Sequence, residues 1–208
     1  MHNKITASIL ILFLSYGFVA SICTAAPSPL TGKIIVIDPG HGGNDNGAIA
    51  NGVREANVNL AVGLKIRDKL LATGATVILT RSSDVSLALK ARVDIAKAAD
   101  ADIFVSIHAN TFSNLETAGA ISFYQSGRPN NLAVAIQEDL VKESGAADKG
   151  VRPENFYVMR ENYITAALIE IGFLTNGPEA LRLTDDAYQE KVAEGISRGV
   201  INYLQPTL

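Results

Sequence analysis

The chain has 208 residues, 48% of them hydrophobic, and 18 Lys and Arg against 21 Asp and Glu, for a formal net charge of -3. That length suits one domain with its own core. The slight acidity argues against nucleic acid, whose binders present a basic face, and against electrostatic adhesion to an anionic surface.

The first residues form a separate object. Met1 to Lys4 is a short polar start, Ile5 to Ile22 is almost wholly apolar, and small residues follow from Cys23 to Ala26 before Pro27, Ser28 and Pro29. This is the order of a secretory signal peptide. The expected division is a signal peptide over 1–26, cut near Ala25 or Ala26, a short linker over 27–32, and one domain over 33–208. The alternative is an uncleaved anchor, since ~18 apolar residues just span a bilayer. Bulky Ile22 ahead of Cys23 argues against a lipoprotein. Cys23 is the one cysteine, so a domain that has shed its signal has neither a disulfide nor thiolate chemistry.

From Lys33 onward, short β-rich runs alternate with amphipathic stretches. Lys33 to Ile37 reads as a buried strand. Asn57 to Ala72 reads as a helix, with Gly74 at its end. Ala75 to Leu79 is a second strand, and Ser86 is placed to cap a helix reaching Ala99. Asp102 to Ile107 and Gly119 to Tyr124 are further strands. Asn131 to Ser144 is a helix closed by Gly145. Asn155 to Met159 reads as a fifth strand and Ala166 to Ile171 as a sixth. Pro178 opens a short helix, and Asp186 to Tyr203 forms the last. The alternation predicts an α/β fold: a single domain with a mixed, mostly parallel sheet of about six strands and helices on both faces.

His41 and His108 each follow a buried apolar run, and open α/β sheets bind ligands beyond the carboxyl ends of their strands. One histidine there is usually structural; two in a chain with three histidines in all point to a shared site. Glu170 interrupts the apolar run Ala166 to Phe173, and a carboxylate on a buried strand needs a reason. Glu55, read from its position alone, is an ordinary helix-start acid favoured by the helix dipole. The turn Asp38-Pro39-Gly40-His41-Gly42-Gly43 lets backbone approach a ligand closely, but it is no P-loop and no dinucleotide fingerprint. The one G-x-S-x-G string, Gly195 to Gly199, falls inside the last helical stretch and not at a strand-to-helix turn, so it is no nucleophile elbow. Two histidines with a carboxylate suit a catalytic zinc with one open position, and a further carboxylate suits the proton transfers of amide hydrolysis.

Several blocks then carry a family resemblance: Ile35 to Gly43, Arg54-Glu55-Ala56-Asn57-Val58-Asn59-Leu60, Leu79-Thr80-Arg81, Phe104 to Asn110, Lys149-Gly150-Val151-Arg152, and Leu168 to Asn176. Together they resemble the zinc-dependent N-acetylmuramoyl-L-alanine amidases of the type 3 class. The resemblance implies His41, Glu55 and His108 as ligands of one zinc ion and Glu170 as the catalytic acid/base. It thereby reverses the positional reading of Glu55. Arg81, Asn110 and Arg152 are candidates to touch substrate or to hold the site together. The implied reaction is hydrolysis of the amide between N-acetylmuramic acid and L-alanine in peptidoglycan, outside the cytoplasm.

A zinc peptidase acting within the stem and a non-catalytic wall-binding module are the alternatives. A two-metal phosphate-ester hydrolase would want an aspartate cluster that is not there. Some relatives insert a plugging helix after the second histidine. Asn110 to Gly119 is too short for one, so the domain is expected to need no activator. It is further expected to be a monomer, to bind no nucleic acid and to keep no stable membrane insertion once the signal is cut.

Overall fold

The computed structural model describes residues 28–205; the signal-peptide reading of residues 1–26 lies outside them. Six strands form one sheet: β1 (Ile34–Pro39), β4 (Thr76–Leu79), β5 (Ile103–Asn110), β6 (Ala120–Gln125), β7 (Asp148–Glu154) and β8 (Thr165–Phe173), in the order β4-β1-β5-β8-β6-β7. β4, β1, β5 and β8 run parallel, β6 is antiparallel to β8, and β7 is parallel to β6. A two-residue pair, β2 (Ile49–Ala50) and β3 (Val53–Arg54), forms a small separate ribbon. This is the mixed, mostly parallel sheet that the alternation of elements predicts.

The central strands are apolar on both faces because helices cover both, and the strand period of two divides their side chains between two cores. Ile35, Ile37, Ile103, Val105, Ile107, Ala167, Ile169 and Ile171 enter the larger core. There they meet α1 (Glu55–Leu71), α3 (Asn131–Ser144) and α6 (Asp186–Leu204). The alternate residues Val36, Phe104 and Leu168 enter the smaller core with Val93, Ala96, Val158 and Met159. The helices on that face are short: α2 (Leu89–Ala98) and the single turn α4 (Tyr157–Arg160). α5 (Gly177–Thr184) follows β8, capped by the side chain of Asn176. The short helices leave the carboxyl ends of β1, β5 and β8 uncovered on the second face, and a cleft lies there.

Three local expectations need correction. The fifth strand is Asp148–Glu154, not Asn155 to Met159. The latter residues enter α4, where Val158 and Met159 are buried. An edge strand with one mostly exposed, polar sequence carries no apolar alternation to announce it. Ser86 does not cap α2. Its hydroxyl instead donates to Gly42 O and accepts from Asn44 N, and α2 begins at Leu89 with no side-chain cap. α1 begins at Glu55, two residues earlier than its periodicity suggests.

α3 and α6 cross at backbone contact. A Cβ on Gly195 would lie 2.6 Å from Leu140 Cα, and one on Gly199 would lie 2.6 Å from the Ala135 carbonyl oxygen and closer still to Ile136 Cα. Alanine is the better helix former by roughly 1 kcal/mol, but backbone cannot yield as a side chain does. We expect Gly199→Ala to lower stability by about 1–3 kcal/mol through overpacking, read as a shift of the urea midpoint. An unchanged or raised midpoint would show that the helices part freely.

Candidate metal centre and cleft

The period-two rule that splits the cores also assembles the site. Asp38 on β1 follows Val36 on the second face, Ser106 and His108 on β5 follow Phe104, and Glu170 on β8 follows Leu168. β5 and β8 pair His108 with Glu170 directly, and β1 and β5 pair Asp38 with Ser106. One face of three adjacent strands therefore carries four polar side chains where the helices stop covering it.

Glu55 reaches this place from the first turn of α1 and is 5% exposed. Its Oε1 lies 2.9 Å from His108 Nδ1 and 3.2 Å from His41 Nε2. Asn59 Nδ2 donates to the same oxygen at 3.2 Å, and Ala48 N donates to Oε2 at 2.8 Å. The outer nitrogen of His41, Nδ1, lies 2.9 Å from Asp45 Oδ2. Such a carboxylate fixes the tautomer and leaves Nε2 free to face inward. The two imidazole rings stand edge to face with centroids 4.9 Å apart. One ligand atom from each of His41, Glu55 and His108 lies within 4.8 Å of the others.

The electrostatics show what this centre demands. Burial alone would raise the Glu55 pKa, but hydrogen bonds from His108 and His41 outweigh it and hold the carboxyl well below its usual range. The hydrogen bond to Glu55 pushes His41 up to about 8, against the opposing effect of burial. A buried carboxylate between two imidazoles calls for positive charge, and a divalent cation meets that need without protonating a ring. Two imidazoles and one carboxylate are a donor set of the catalytic zinc type. Gly40 is fitted to it, since a Cβ there would run into the His108 ring.

Glu170 stands beside this centre in a different state. Its Oε2 is shut off from solvent and has no hydrogen-bond partner among the described residues. Burial, helped by the charge of Glu55 and opposed by the two histidines, pushes it up to about 7. The cleft in front of these groups holds about 480 Å³ and is walled by Leu87, Leu89, Phe156, Tyr157 and Leu168.

The three outlying candidates separate. Arg81 is buried, and its guanidinium donates to the carbonyls of Pro39, Gly40, Ala56 and Ser83. It holds the His41 turn, with four of its five N–H groups turned to the chain's own carbonyls. Asn110 and Arg152 line a second depression beyond β8, apart from the main cleft.

Residues that the sequence did not single out complete the frame. Arg92 is buried on α2, 2.7 Å from Asp38 Oδ1, and donates to the carbonyls of Pro39 and His41. Asp38 also accepts from Thr80 and Ser106. Arg54 donates to Gly43 O and pairs with Asp84. His41 needs such support because its φ is +60°, a region an L residue adopts at a cost.

Removing one partner of a buried pair strands the other. We expect Arg92→Met to cost about 3–5 kcal/mol of stability, read by denaturant titration, with part of it recovered in Asp38→Asn/Arg92→Met. A loss under about 1 kcal/mol, within the range of exposed pairs, would place the pair outside the frame of the turn.

Comparison with known proteins places this geometry. Residues 35–202 match the sequence profile of the Amidase_3 family, N-acetylmuramoyl-L-alanine amidase. The amidase LytC of Bacillus subtilis is 38% identical over 180 residues, which cover 85% of this chain and 36% of LytC. The catalytic domain of CwlV, an N-acetylmuramoyl-L-alanine amidase of Bacillus (Paenibacillus) polymyxa var. colistinus, superposes with a TM-score of 0.80 at 38% identity. The match covers 83% of this chain and 98% of that one. The CwlD amidase of Clostridioides difficile, solved in complex with the GerS lipoprotein, gives a TM-score of 0.80 at 37% identity, covering 83% and 98%. A domain of this fold thus occurs with a protein partner, and the short connection after Asn110 gives no ground for expecting this one to act alone.

Proposed function

The chain belongs to the N-acetylmuramoyl-L-alanine amidase family, and from that membership we propose that it is a zinc-dependent hydrolase. Its substrate on this reading is the amide joining N-acetylmuramic acid to the L-alanine of the peptidoglycan stem. Residues 33–208 form the catalytic domain, delivered outside the cytoplasm, where that substrate lies. Among the described residues no helix is long and apolar enough to cross a membrane.

One observation carries the mechanism: a compact His41, Glu55, His108 donor set opens onto a cleft beside a carboxylate with an unpartnered oxygen. On this reading the three side chains hold one zinc ion. When bound, zinc supplies Lewis acidity toward the scissile carbonyl and activates water. Asp45 holds the His41 ring with Nε2 inward, and Asn59 holds Glu55 against both rings. Glu170 takes the proton of the attacking water and hands it to the leaving amine of L-alanine. A carboxyl near pH 7 suits both transfers. The apolar cleft walls exclude bulk water and keep that carboxyl poised.

The test is product analysis by mass on defined muropeptides, with and without a chelator. Release of an intact stem with a free L-alanine amine, lost on chelation and restored by zinc, supports the reading. Cleavage inside the stem would move it to a peptidase. No cleavage by zinc-loaded protein would turn attention to a missing partner or to a binding module.

Two substitutions divide the roles. Glu170→Gln should retain stoichiometric zinc and lose roughly 10²–10⁴-fold in kcat, the usual contribution of a general acid/base. His108→Ala should lose zinc itself, measured by metal analysis after gel filtration. A Glu170→Gln protein with full activity would remove Glu170 from the mechanism.

A further inference from the structure

We propose that the depression beyond Glu170, over β6 and β7, is a subsite that binds a free carboxylate of the peptide stem through Lys149 and Arg152. The proposal rests on the amidase reading and fixes the direction in which the substrate lies across the cleft.

The depression holds about 380 Å³ and has an apolar floor of Ile121, Phe123 and Phe173. Lys149 and Arg152 stand at its rim. Among the described residues neither is ion-paired; the one side-chain bond of Arg152 is from Nη2 to Lys149 O at 3.2 Å. Several cations elsewhere on the surface are matched, Lys65 with Asp186 and Glu190, Lys69 with Glu190 and Glu194, Arg54 with Asp84. Scattered others such as Lys142 and Lys191 are not matched among the described residues, and what distinguishes Lys149 and Arg152 is that both stand over one apolar hollow. One acid, Glu154, shares the rim, and its carboxylate accepts from Asn155 N. Two cations against one acid leave an excess of positive charge over an apolar floor.

The depression is a separate hollow that adjoins the reacting centre along the sheet. Ile121 is the register partner of Glu170 across β6 and β8. Asn110, two residues beyond His108 on β5, lines its near side. From β8 to β7 is two strand spacings, roughly 10 Å. An extended peptide covers about 3.3–3.6 Å per residue. A stem leaving the scissile amide at Glu170 therefore brings its second or third residue over Lys149 and Arg152.

Charge decides which half of the substrate goes there. The N-acetylated glycan is neutral once its lactyl carboxyl is amidated, whereas the stem carries free carboxylates. The main cleft is the apolar one, with Leu87, Leu89, Phe156 and Tyr157 in its wall, and it suits the neutral sugar. The cationic rim suits the stem. A guanidinium presents the planar fork that a carboxylate accepts, and an ammonium beside it adds charge without fixing geometry.

The experiment compares muropeptides whose second-residue and third-residue carboxyls are free or amidated, with the protein and with Lys149→Gln/Arg152→Gln. A charge-assisted contact of this kind should give roughly 10- to 100-fold in KM. We expect the double variant to raise KM by that factor on the free-acid stem, with kcat little changed, and to leave the amidated stem unaffected. Calorimetry with the free stem peptide, which needs no turnover, should show binding that weakens with salt and with the double substitution. Equal losses on acid and amide, or no loss on either, would overturn the subsite. If the protein cut no muramyl amide at all, the amidase reading would fail. The calorimetric comparison would still decide whether the rim reads a carboxylate.

Discussion

Three guanidinium groups hold one turn of backbone, and the candidate centre depends on that grip. Between Pro39 and Gly43 the chain makes a tight turn in which His41 has a φ of +60° and Gly42 and Gly43 are also positive. The turn directs carbonyls inward, where helix or sheet donors are not on offer. Arg81 takes Pro39 and Gly40, Arg92 takes Pro39 and His41, and Arg54 takes Gly43. Each arginine comes from a different part of the chain: Arg54 from β3 just ahead of α1, Arg81 from two residues beyond β4, and Arg92 from α2. The position of His41 is thus set by three elements at once, and Asp38 and Asp84 neutralise two of the three cations.

The rest of the centre follows from sheet geometry. Parallel β1, β5 and β8 lie in register, so residues of equal parity on them share a face, Asp38 level with Ser106 and, two residues further on, His108 level with Glu170. Asp38, Ser106, His108 and Glu170 are such residues. The larger core on the opposite face has three long helices and fixes the strands. The lighter cover of α2 and α4 leaves the strand ends open. A sheet clad equally on both faces would bury the same four side chains without access.

Much of this was legible in the sequence, and the limits have physical causes. His41, His108 and Glu170 were conspicuous because polar residues ending apolar strands break a pattern. Glu55 was not, because an acid in a first helical turn has an ordinary explanation; the family blocks singled it out, and the fold brings it between the imidazoles. Arg92 gave no signal, since an arginine on a ten-residue helix reads as a solvated face until its burial against Asp38 is seen. Asp38 did break the pattern of β1 as Glu170 breaks that of β8, and the same argument would have marked it. The edge strand Asp148–Glu154 was hidden by its polar sequence, because half of its backbone and most of its side chains face water. Arg81 sat within a family block, yet a motif does not say whether an arginine points at a ligand or at the chain's own carbonyls.

The two glutamates near the histidines are pushed in opposite directions by their surroundings, and that divergence bears on what each does. Both suffer burial, which favours the neutral acid. Glu55 is compensated by two imidazoles, the Asn59 amide and the Ala48 backbone amide, so it stays ionised. Glu170 has none of these bonds, feels the charge of Glu55, and titrates near neutrality. A permanently ionised carboxylate is suited to hold a cation and ill suited to carry protons, because its conjugate acid is scarcely formed. A carboxyl poised near the working pH is suited to the reverse. On the proposed reading the division of labour between the two follows from the hydrogen bonds each lacks or receives, with no need to appeal to side-chain type, which is the same in both.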